Sequence, residues 1–382
     1  MRILHSYLFF SIKYAGGTSD LMFKILKAQA KVGTRPVLLT GDHMFDEALF
    51  DKLSGVELIK VPSFLDKQGF SLMPTLLFSL IFNRKKFDAV HMHIYRTFQS
   101  AILYLFCKLF NVDFVIDAHG AVPLHKNKRG LKRVFDVVIG RRMLRDARLL
   151  VAETEVGKAE YLDIDPTLPP EKIVILSPPF DTDEFESLPE KGDFRERFEI
   201  PKNKKVISFL GRLHEIKGND FLVKGFARLQ EVRDDCHLAL IGPDDGHEDT
   251  LRSLVSEFKL DDRVTFTGFM GGQDKNEALA SSDIVVQLSR FEQGAWAPIE
   301  GVLSGTPIVV TRETGAGEDV KRLDAGSLVS IDDVKELSDT FNEVLTNYEE
   351  ALRRTMKARD FIINNLSMNA RVGEYYDLFK KT

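Results

Sequence analysis

Short apolar runs alternate with amphipathic segments along almost the whole chain. Nearly continuous apolar runs are typical of central parallel strands that are covered on both faces. Segments with helical spacing lie between the runs, for example at residues 19–31 and 220–232. Strands and helices in alternation predict an α/β fold built on doubly wound parallel sheets. The predicted strands cover residues 2–10, 36–40, 88–93, 114–118, 149–152 and 173–176 in the first half, and 205–210, 237–241, 264–267, 283–288 and 308–311 in the second.

The alternation is interrupted at residues 182–203, which are polar and charged and contain Pro189 and Pro201. This composition is typical of an interdomain linker. A chain of 382 residues is long enough for two domains that each bury a core. We therefore predict a first domain at residues 1–181, a linker at 182–203 and a second domain at 204–366.

The composition excludes several classes of protein. With 44% hydrophobic and 29% charged residues it is that of a globular protein, and a net charge of -5 does not suggest general nucleic-acid binding. Cys107 and Cys236 are the only cysteines, which argues against a disulfide framework and fits a reducing, cytoplasmic compartment. No apolar run reaches transmembrane length. Residues 1–10 lack a clear signal-peptide cleavage site and are better interpreted as a first strand.

The segment from Ser289 to Glu300 contains the first candidate for chemistry. It follows the predicted strand at residues 283–288 and leads into a short predicted helix at 298–304. In parallel α/β sheets, ligands bind beyond the carboxyl ends of the strands, and a helix N-terminus attracts phosphate. Glu292 and Glu300 lie there, and a carboxylate accepts hydrogen bonds from the vicinal hydroxyls of a sugar. The alternative is that Glu292 is a solvated loop charge and Glu300 a first-turn helix charge.

A second candidate is the loop after the strand at residues 205–210. Glycines frame this loop, and Arg212 and Lys217 are five residues apart within it. Such a pair converges readily on one diphosphate, because arginine supplies a planar fork and lysine a point charge. The alternative is ordinary surface charge.

Three histidines lie at or just past the ends of predicted strands in the first half. His119 lies just past the strand at residues 114–118, where a structural role and a functional role are both reasonable. His91 and His93 end the strand at residues 88–93, and we expect them to face opposite sides of it and to form a poor metal pair.

Several of these features occur together in one known family. The chain contains, in order, Gly16-Gly17, His119-Gly120, Gly211-Arg212 with Lys217-Gly218, Val264 to Gly268, and Glu292 and Glu300 ahead of Gly305-Thr306-Pro307. In these motifs the sequence resembles a family-4 retaining glycosyltransferase of the GT-B fold, and the resemblance covers almost the whole chain. One loop departs from the family pattern, because Gln293-Gly294-Ala295-Trp296 stands where the family usually has Gly-Phe-Gly.

The resemblance implies a fold and a set of roles. Two Rossmann-like domains would face a cleft, and the C-terminal helix at residues 367–382 would cross back to the first domain. Arg212 and Lys217 would stabilise the diphosphate of a nucleotide-sugar, Glu300 would hold its ribose, and Glu292 and His119 would contact its sugar. The family implies further donor contacts at Gly16, Gly17, Gly211, Gly268, Phe269, Gly294, Ala295, Trp296 and Ala297.

The implied activity is transfer of a hexosyl unit from a UDP- or GDP-sugar to a glycan, lipid-linked or other hydroxyl acceptor. No metal or other cofactor is expected, because the two Asp-x-Asp triplets at residues 163–165 and 181–183 lack the strand-turn context of a metal site. Two rival classes remain. A nucleotide-sugar epimerase would need further acid and base residues, and a non-catalytic scaffold should have lost Arg212, Lys217 or Glu292, all of which are present.

A basic, amphipathic stretch at residues 126–148 suggests a further partner. Such a helix could lie on an anionic membrane, which would place the protein at the inner face of the membrane, or it could be a solvated helix packed by its apolar side. Its basic residues are Lys126, Lys128, Arg129, Lys132, Arg133, Arg141, Arg142, Arg145 and Arg148, and its apolar residues include Leu131, Val134, Phe135, Val138, Ile139 and Leu144.

Overall fold

The computed structural model describes residues 1–12, 17–67, 70–119, 129–180, 182–292, 294 and 296–380. The chain divides into two compact units, one formed by Met1–Phe180 with Ser367–Thr382 and the other by Asp181–Leu366. Each unit contains one parallel sheet with helices, as the alternation of apolar runs predicted.

The first unit has a seven-stranded sheet in which every neighbouring pair is parallel. Its strands are β1 (Arg2–Ser6), β2 (Arg35–Gly41), β3 (Glu57–Val61), β6 (Ala89–His93), β7 (Asp113–Asp117), β8 (Leu149–Ala152) and β9 (Ile173–Ile175), and a separate hairpin is formed by β4 (Phe64–Lys67) and β5 (Phe70–Leu72). The sheet order is β3-β2-β1-β6-β7-β8-β9. The direction of winding therefore reverses between β1 and β6, which is the topological switch point of this unit.

Helices connect these strands. They are Gly17–Lys31, Glu47–Phe50, Leu76–Asn83, Phe98–Phe110, Arg129–Phe135, Arg141–Asp146 and Glu155–Ile164, with single turns at Arg84–Lys86 and Pro170–Lys172 and a π-helical turn at Asp136–Gly140. The C-terminal helix Met368–Asp377 also belongs to this unit and packs on Gly17–Lys31. The N–H of Met368 donates to the carbonyl of Phe180 at 2.8 Å. The expected return of the C-terminal helix to the first domain is thus confirmed.

The second unit has a six-stranded parallel sheet. Its strands are β10 (Lys205–Leu210), β11 (Cys236–Ile241), β12 (Val264–Gly268), β13 (Ile284–Gln287), β14 (Ile308–Thr311) and β15 (Ser327–Val329), in the order β12-β11-β10-β13-β14-β15. This is the doubly wound order of dinucleotide-binding folds, and its switch point lies between β10 and β13. Its helices are Phe194–Arg197, Asn219–Leu229, Glu248–Glu257, Gly272–Ala280, Trp296–Leu303, Gly315–Leu323, Val334–Thr346 and Tyr348–Asn365, with single turns at Asp183–Phe185 and Glu215–Lys217.

The cores explain the unbroken apolar runs. The central strands of both sheets are covered on both faces, so that successive side chains are buried whichever way they point. Leu4 and Val90 in the first unit, and Ile207 and Val286 in the second, are fully buried. Among the described residues, no helix is both long enough and apolar enough to cross a membrane.

Three segments differ from the sequence expectations. Strand β1 ends at Ser6, whereas the apolar run continues to residue 10. The run is longer than the strand because most of the residues that follow the strand are also buried. Residues 314–318 contain two glycines, which are typical of a turn, but they begin the helix Gly315–Leu323, where the Thr314 hydroxyl accepts from the N–H of Gly317 at 3.2 Å. Residues 182–203, expected as a linker, contribute the buried Phe194 and Ile200 to an apolar cluster of the second unit.

Candidate functional site

The switch point of the second unit brings two loops together that are far apart in sequence. Strands β10 and β13 pair in the sheet, so the loops that follow them are neighbours. The N–H of Arg290 donates to the carbonyl of Ile216 at 2.9 Å. Gly218 has φ +67°, and a Cβ there would lie 2.1 Å from the carbonyl oxygen of Leu288. Only glycine allows this close approach of the two backbones.

Lys217 and Glu292 meet at this junction. The Lys217 ammonium forms an ion pair with Glu292 Oε2, and about a fifth of each side chain is exposed. The same oxygen accepts from Gln287 Nε2 at 2.7 Å and lies 3.2 Å from Ser289 Oγ. One carboxylate oxygen therefore receives three donors, which fixes the orientation of the glutamate and leaves its partly exposed carboxylate accessible to a ligand hydroxyl.

Arg290 fastens the loop after β13 to its surroundings. Its guanidinium holds both carboxylate oxygens of Asp220 at 2.8 and 2.9 Å, Asp332 at 2.7 Å and the carbonyl of Glu215 at 2.9 Å. Burial alone would raise the pKa of Asp220, but the hydrogen bonds and charge of Arg290 outweigh it and lower the pKa. On the other side, the N–H of Gly315 donates to the carbonyl of Glu292 at 2.8 Å. The loop is therefore held rigidly from two sides.

Among the described residues, Glu300 and Arg212 each form a single ion pair, unlike the other glutamate of the site, which has three donors. Glu300 lies on the helix Trp296–Leu303, and its Oε1 pairs with Lys275 Nζ at 2.6 Å. Arg212 forms an ion pair with Asp245, and 62% of its side chain is exposed. Arg212 is thus free to turn towards an anionic ligand at small cost.

The remaining predicted donor contacts are placed only in part. Gly211 directly follows β10. Gly268 is the last residue of β12, and the next residue, Phe269, is exposed. Gly294 is buried, and Trp296 and Ala297 open the helix Trp296–Leu303. Gly17 begins the helix Gly17–Lys31. Gly16, Gly120, Gln293 and Ala295 lie outside the described residues.

His119 belongs to a buried polar network in the first unit. It follows β7 with φ +42°, and its Nε2 lies 2.8 Å from His93 Nδ1. Its Nδ1 lies 3.2 Å from Asp117 Oδ1 and 3.4 Å from Glu153 Oε1. Burial lowers the pKa of His119, but the two carboxylates more than compensate and raise it, while burial raises the pKa of Asp117 to about 6. Both ring nitrogens of His119 therefore face side chains of the first unit.

The network continues along the strands. His5 Nδ1 lies 3.1 Å from His93 Nε2, and His5 Nε2 lies 2.8 Å from Gln29 Oε1. The rings of His91 and His93 are 3.9 Å apart. The expectation that His91 and His93 face opposite sides of the strand was therefore wrong, because side chains two residues apart on a strand share a face.

The basic stretch forms successive helical turns from Arg129 to Asp146, and Lys126 and Lys128 lie outside the described residues. Asp136 is buried and accepts from Arg96 at 2.8 and 2.9 Å and from the Tyr95 hydroxyl at 3.0 Å. This anchor fixes the face that the stretch presents to solvent. Exposed on that outer surface are Leu131, Arg133, Val134, Val137, Val138, Arg141 and Arg142.

Sequence reasoning missed the residues that support the predicted ones. Gln287 and Ser289 hold Glu292, Lys275 holds Glu300, and Arg290 anchors the loop. Gln287 carried a signal, since it is a polar residue inside a buried strand, and such a residue requires a partner.

Comparisons with known proteins agree with this architecture. The family model described as Glycosyltransferase Family 4 matches residues 15–184, and the one described as Glycosyl transferases group 1 matches residues 190–361. D-inositol 3-phosphate glycosyltransferase of Mycolicibacterium smegmatis is 28% identical over 55% of this chain and 48% of its own length. Mannosylfructose-phosphate synthase of Agrobacterium fabrum is 31% identical over 45% of this chain and 39% of its own. The chain thus spans about half or less of these curated relatives.

Solved structures match over the full length. Anabaena Alr3699/HepE in complex with UDP and glucose has a TM-score of 0.80 and 18% identity over 99% of each chain. Sucrose-phosphate synthase from Thermosynechococcus elongatus has a TM-score of 0.78 and 17% identity, over 99% of this chain and 98% of that one. The two family matches, one in each half of the chain, and this common fold establish that the chain belongs to glycosyltransferase family 4, the glycosyl transferases group 1, with the GT-B fold.

Proposed function

We propose that the protein is a retaining glycosyltransferase that moves a hexosyl unit from a nucleotide diphosphate sugar to a hydroxyl acceptor without a catalytic metal. The observation that carries the proposal is the Lys217–Glu292 pair at the switch point of the second unit. A cation for the diphosphate and an oriented carboxylate for sugar hydroxyls are adjacent there, at the edge of the sheet where ligands of such folds bind.

Each residue of the site has a defined role in this proposal. The acceptor oxygen bonds to the anomeric carbon as the bond from that carbon to the diphosphate oxygen breaks. The proton of the acceptor hydroxyl passes to the departing diphosphate, on which negative charge grows. Lys217 and Arg212 stabilise that charge, and positioned cations of this kind supply a large part of catalysis. Glu292 accepts hydrogen bonds from the donor sugar, and Glu300 from the ribose. The role of His119 in contacting the sugar stays a prediction from the family resemblance.

The donor class is supported by the relatives. Anabaena Alr3699/HepE was solved in complex with UDP-glucose, which favours a UDP-sugar over a GDP-sugar here. The name of the Mycolicibacterium smegmatis relative gives a phosphorylated acceptor, D-inositol 3-phosphate, whereas this chain is proposed to use a glycan, lipid-linked or other hydroxyl acceptor.

Isothermal titration with UDP, GDP, ADP and UDP-glucose in the presence of EDTA tests the donor site. We expect one nucleoside diphosphate to bind, and Lys217→Met with Arg212→Ala to weaken it at least about tenfold, since each charge-assisted hydrogen bond contributes about 1.5–3 kcal/mol. Lys335→Met is the matched control, because Lys335 is an exposed lysine of the same unit that pairs with Asp339. Unchanged binding of the nucleoside diphosphate in the double variant would show that Lys217 and Arg212 do not form the diphosphate site.

Product analysis tests the reaction. With a hydroxyl acceptor, proton NMR of the product should show the anomeric configuration of the donor. An inverted product would overturn the retaining mechanism. A new nucleotide-sugar isomer formed without acceptor would favour an epimerase instead.

We also propose that the outer face of residues 129–146 contacts an anionic membrane surface. Its exposed apolar side chains lie beside exposed arginines, the combination that holds a helix at a charged lipid interface. Co-sedimentation with phosphatidylglycerol vesicles should be lost in Val137→Glu with Val138→Glu. The control is Val232→Glu, because Val232 and Val137 are each 70% exposed and Val232 belongs to the other unit. Equal sedimentation of all three proteins would contradict the proposal.

A further inference from the structure

Three fully buried histidines meet at the switch point of the first unit. His5 lies on β1, and His91 and His93 lie on the adjacent β6. His5 and His91 are paired in register, so all three side chains share one face of the sheet. The ring centres of His5 lie 5.3 Å from those of His91 and of His93. None of the three is among the residues proposed to contact the donor, and His93 lies 2.8 Å from one of those residues, His119.

The ring nitrogens converge. One nitrogen from each histidine can be chosen so that the three atoms lie within 4.8 Å of one another. His5 Nδ1 and His93 Nε2 are 3.1 Å apart. In a tetrahedral zinc site with Zn–N bonds of about 2.0–2.1 Å, neighbouring ligand nitrogens are about 3.3 Å apart. The His5–His93 pair therefore already has nearly the spacing of two ligands on one ion.

The outer nitrogens of this pair are held by further side chains. His5 Nε2 lies 2.8 Å from the amide oxygen of Gln29, and His93 Nδ1 lies 2.8 Å from His119 Nε2. When each outer nitrogen donates its proton outward, His5 Nδ1 and His93 Nε2 present their lone pairs to each other. Histidine ligands of metals are oriented in this way by hydrogen bonds from the nitrogen that does not bind the ion.

His91 completes the set. It is fully buried, and among the described residues neither of its ring nitrogens has a hydrogen-bond partner. An unpaired buried polar group destabilises a folded protein. A bound cation would remove this penalty for His91, and in the tautomer just described it would also remove the repulsion between the two facing lone pairs.

We propose that His5, His91 and His93 bind one divalent transition-metal ion of the zinc class, which cross-links β1 and β6 at the switch point. Neutral imidazoles suit Zn²⁺, Co²⁺, Ni²⁺ and Cu²⁺, whereas Mg²⁺ and Ca²⁺ prefer oxygen ligands. Ligation also fixes the tautomer in which His93 donates to His119. The ion has a structural role, and it is linked to the proposed donor contacts through the His93–His119 hydrogen bond.

Cobalt binding provides the test. The full chain is unfolded and refolded with CoCl₂, because a buried site fills most readily during folding, and free metal is removed. We expect one Co²⁺ per chain, the intense visible absorption of tetrahedral Co²⁺, its displacement by ZnCl₂, and no effect of MgCl₂. In His91→Phe, retained Co²⁺ should fall at least tenfold. His237→Gln, which changes a buried histidine of the other unit, should bind as the unaltered chain does.

Two results would overturn the proposal. One is an unaltered chain that retains neither cobalt nor zinc after refolding. The other is a His91→Phe chain that keeps the full stoichiometry and spectrum. If His91→Phe does not fold, nitrogen-15 NMR of the histidine rings in the unaltered chain decides. Zinc-dependent shifts at His5, His91 and His93 together support the site, and their absence excludes it.

Discussion

At the scale of single residues, the proposed site depends on how one carboxylate is held. Glu292 is bound by Lys217, by Gln287 and by Ser289, all through the same oxygen. A sugar hydroxyl that approaches the pair therefore meets a glutamate of fixed orientation. Gln287 donates from a buried position at the end of a strand.

Replacing Gln287 by leucine tests this arrangement with little change in volume. We expect Gln287→Leu to weaken the binding of the nucleotide-sugar about tenfold, because a hydrogen bond to a charged group contributes about 1.5–3 kcal/mol. Binding of the nucleoside diphosphate alone should not change, since Glu292 is proposed to hold the sugar. Ser289→Ala, which removes the longer contact, should have a smaller effect. Equal losses for both ligands in titration calorimetry would show that Gln287 acts on the phosphate side instead.

His237 provides a prediction about pH and stability. Burial lowers the pKa of His237 from 6.5 to about 4, and its Nε2 lies 2.8 Å from the Thr265 hydroxyl. Between these two values the unfolded chain binds the proton more readily than the folded one. The stabilisation is therefore complete above about pH 6.5 and is lost as the pH falls towards 4.

Urea unfolding at several pH values measures this effect. Over that window, the free energy of unfolding should fall more steeply for the unaltered chain than for His237→Gln, by at most about 1.4 kcal/mol per pH unit for one proton. Parallel pH profiles would show that His237 titrates normally in the folded protein.

The residues of the site were only partly predictable from sequence. Glu292, Glu300 and Lys217 stand out through their position beyond predicted strands. Their partners do not, because Lys217 and Glu292 are 75 residues apart and only the pairing of β10 with β13 brings them together. The histidine cluster was missed for a different reason, since the strand was predicted but its alternation was applied wrongly to His91 and His93.

At the scale of secondary structure elements, the site depends on the close contact between two loops. Gly218 ends the loop after β10 and touches the backbone at Leu288, where β13 has just ended. Any side chain there would push the Lys217 loop away from the Glu292 loop. The glycine is therefore a structural requirement of the ion pair.

Gly218→Ala should destabilise the second unit more than an alanine in the same backbone conformation elsewhere. Gly246 is the matched control, because it also has positive φ (+85°) but no atom of the described residues lies within 4 Å of its Cβ position. Gly246→Ala should lose about 1–2 kcal/mol of unfolding free energy from backbone strain. Gly218→Ala should lose about a further 1–3 kcal/mol from the clash with the Leu288 carbonyl. Equal values for both variants in urea unfolding would show that the loops separate without cost.

Elements were more predictable than contacts. The strands Lys205–Leu210 and Ile308–Thr311 have the bounds that the apolar runs predicted, because a buried parallel strand is apolar throughout. An apolar run indicates that its residues are buried, however, and not that they form a strand. The run at residues 2–10 therefore overestimated β1, whose following residues Tyr7 and Phe10 are buried outside the strand. The helix Gly315–Leu323 has two glycines in its first turn, and glycines at this spacing favour a turn in a prediction from sequence.

At the scale of the whole molecule, the last helix of the chain belongs to the unit that contains its first strand. This position of the C-terminal helix was expected from the family resemblance. The structure provides the physical reason. Tyr375 and Phe379 are buried, the Arg371 guanidinium donates to the carbonyl of Ser177 at 2.8 Å, and the ring of Phe379 lies 5.7 Å from that of His91.

A chain that ends at Leu366 should therefore lose stability in the first unit. Each large apolar side chain that is buried stabilises by about 1.5–3 kcal/mol, and the truncation removes several of them. In hydrogen exchange, the amides of the helix Gly17–Lys31 and of β6 should lose protection, while those of β10 in the other unit should keep it. Removal of residues 381–382 alone is the control and should change neither. Unchanged protection of Gly17–Lys31 in the longer truncation would mean that the first unit is complete without the C-terminal helix, and that the helix attaches to a core already formed.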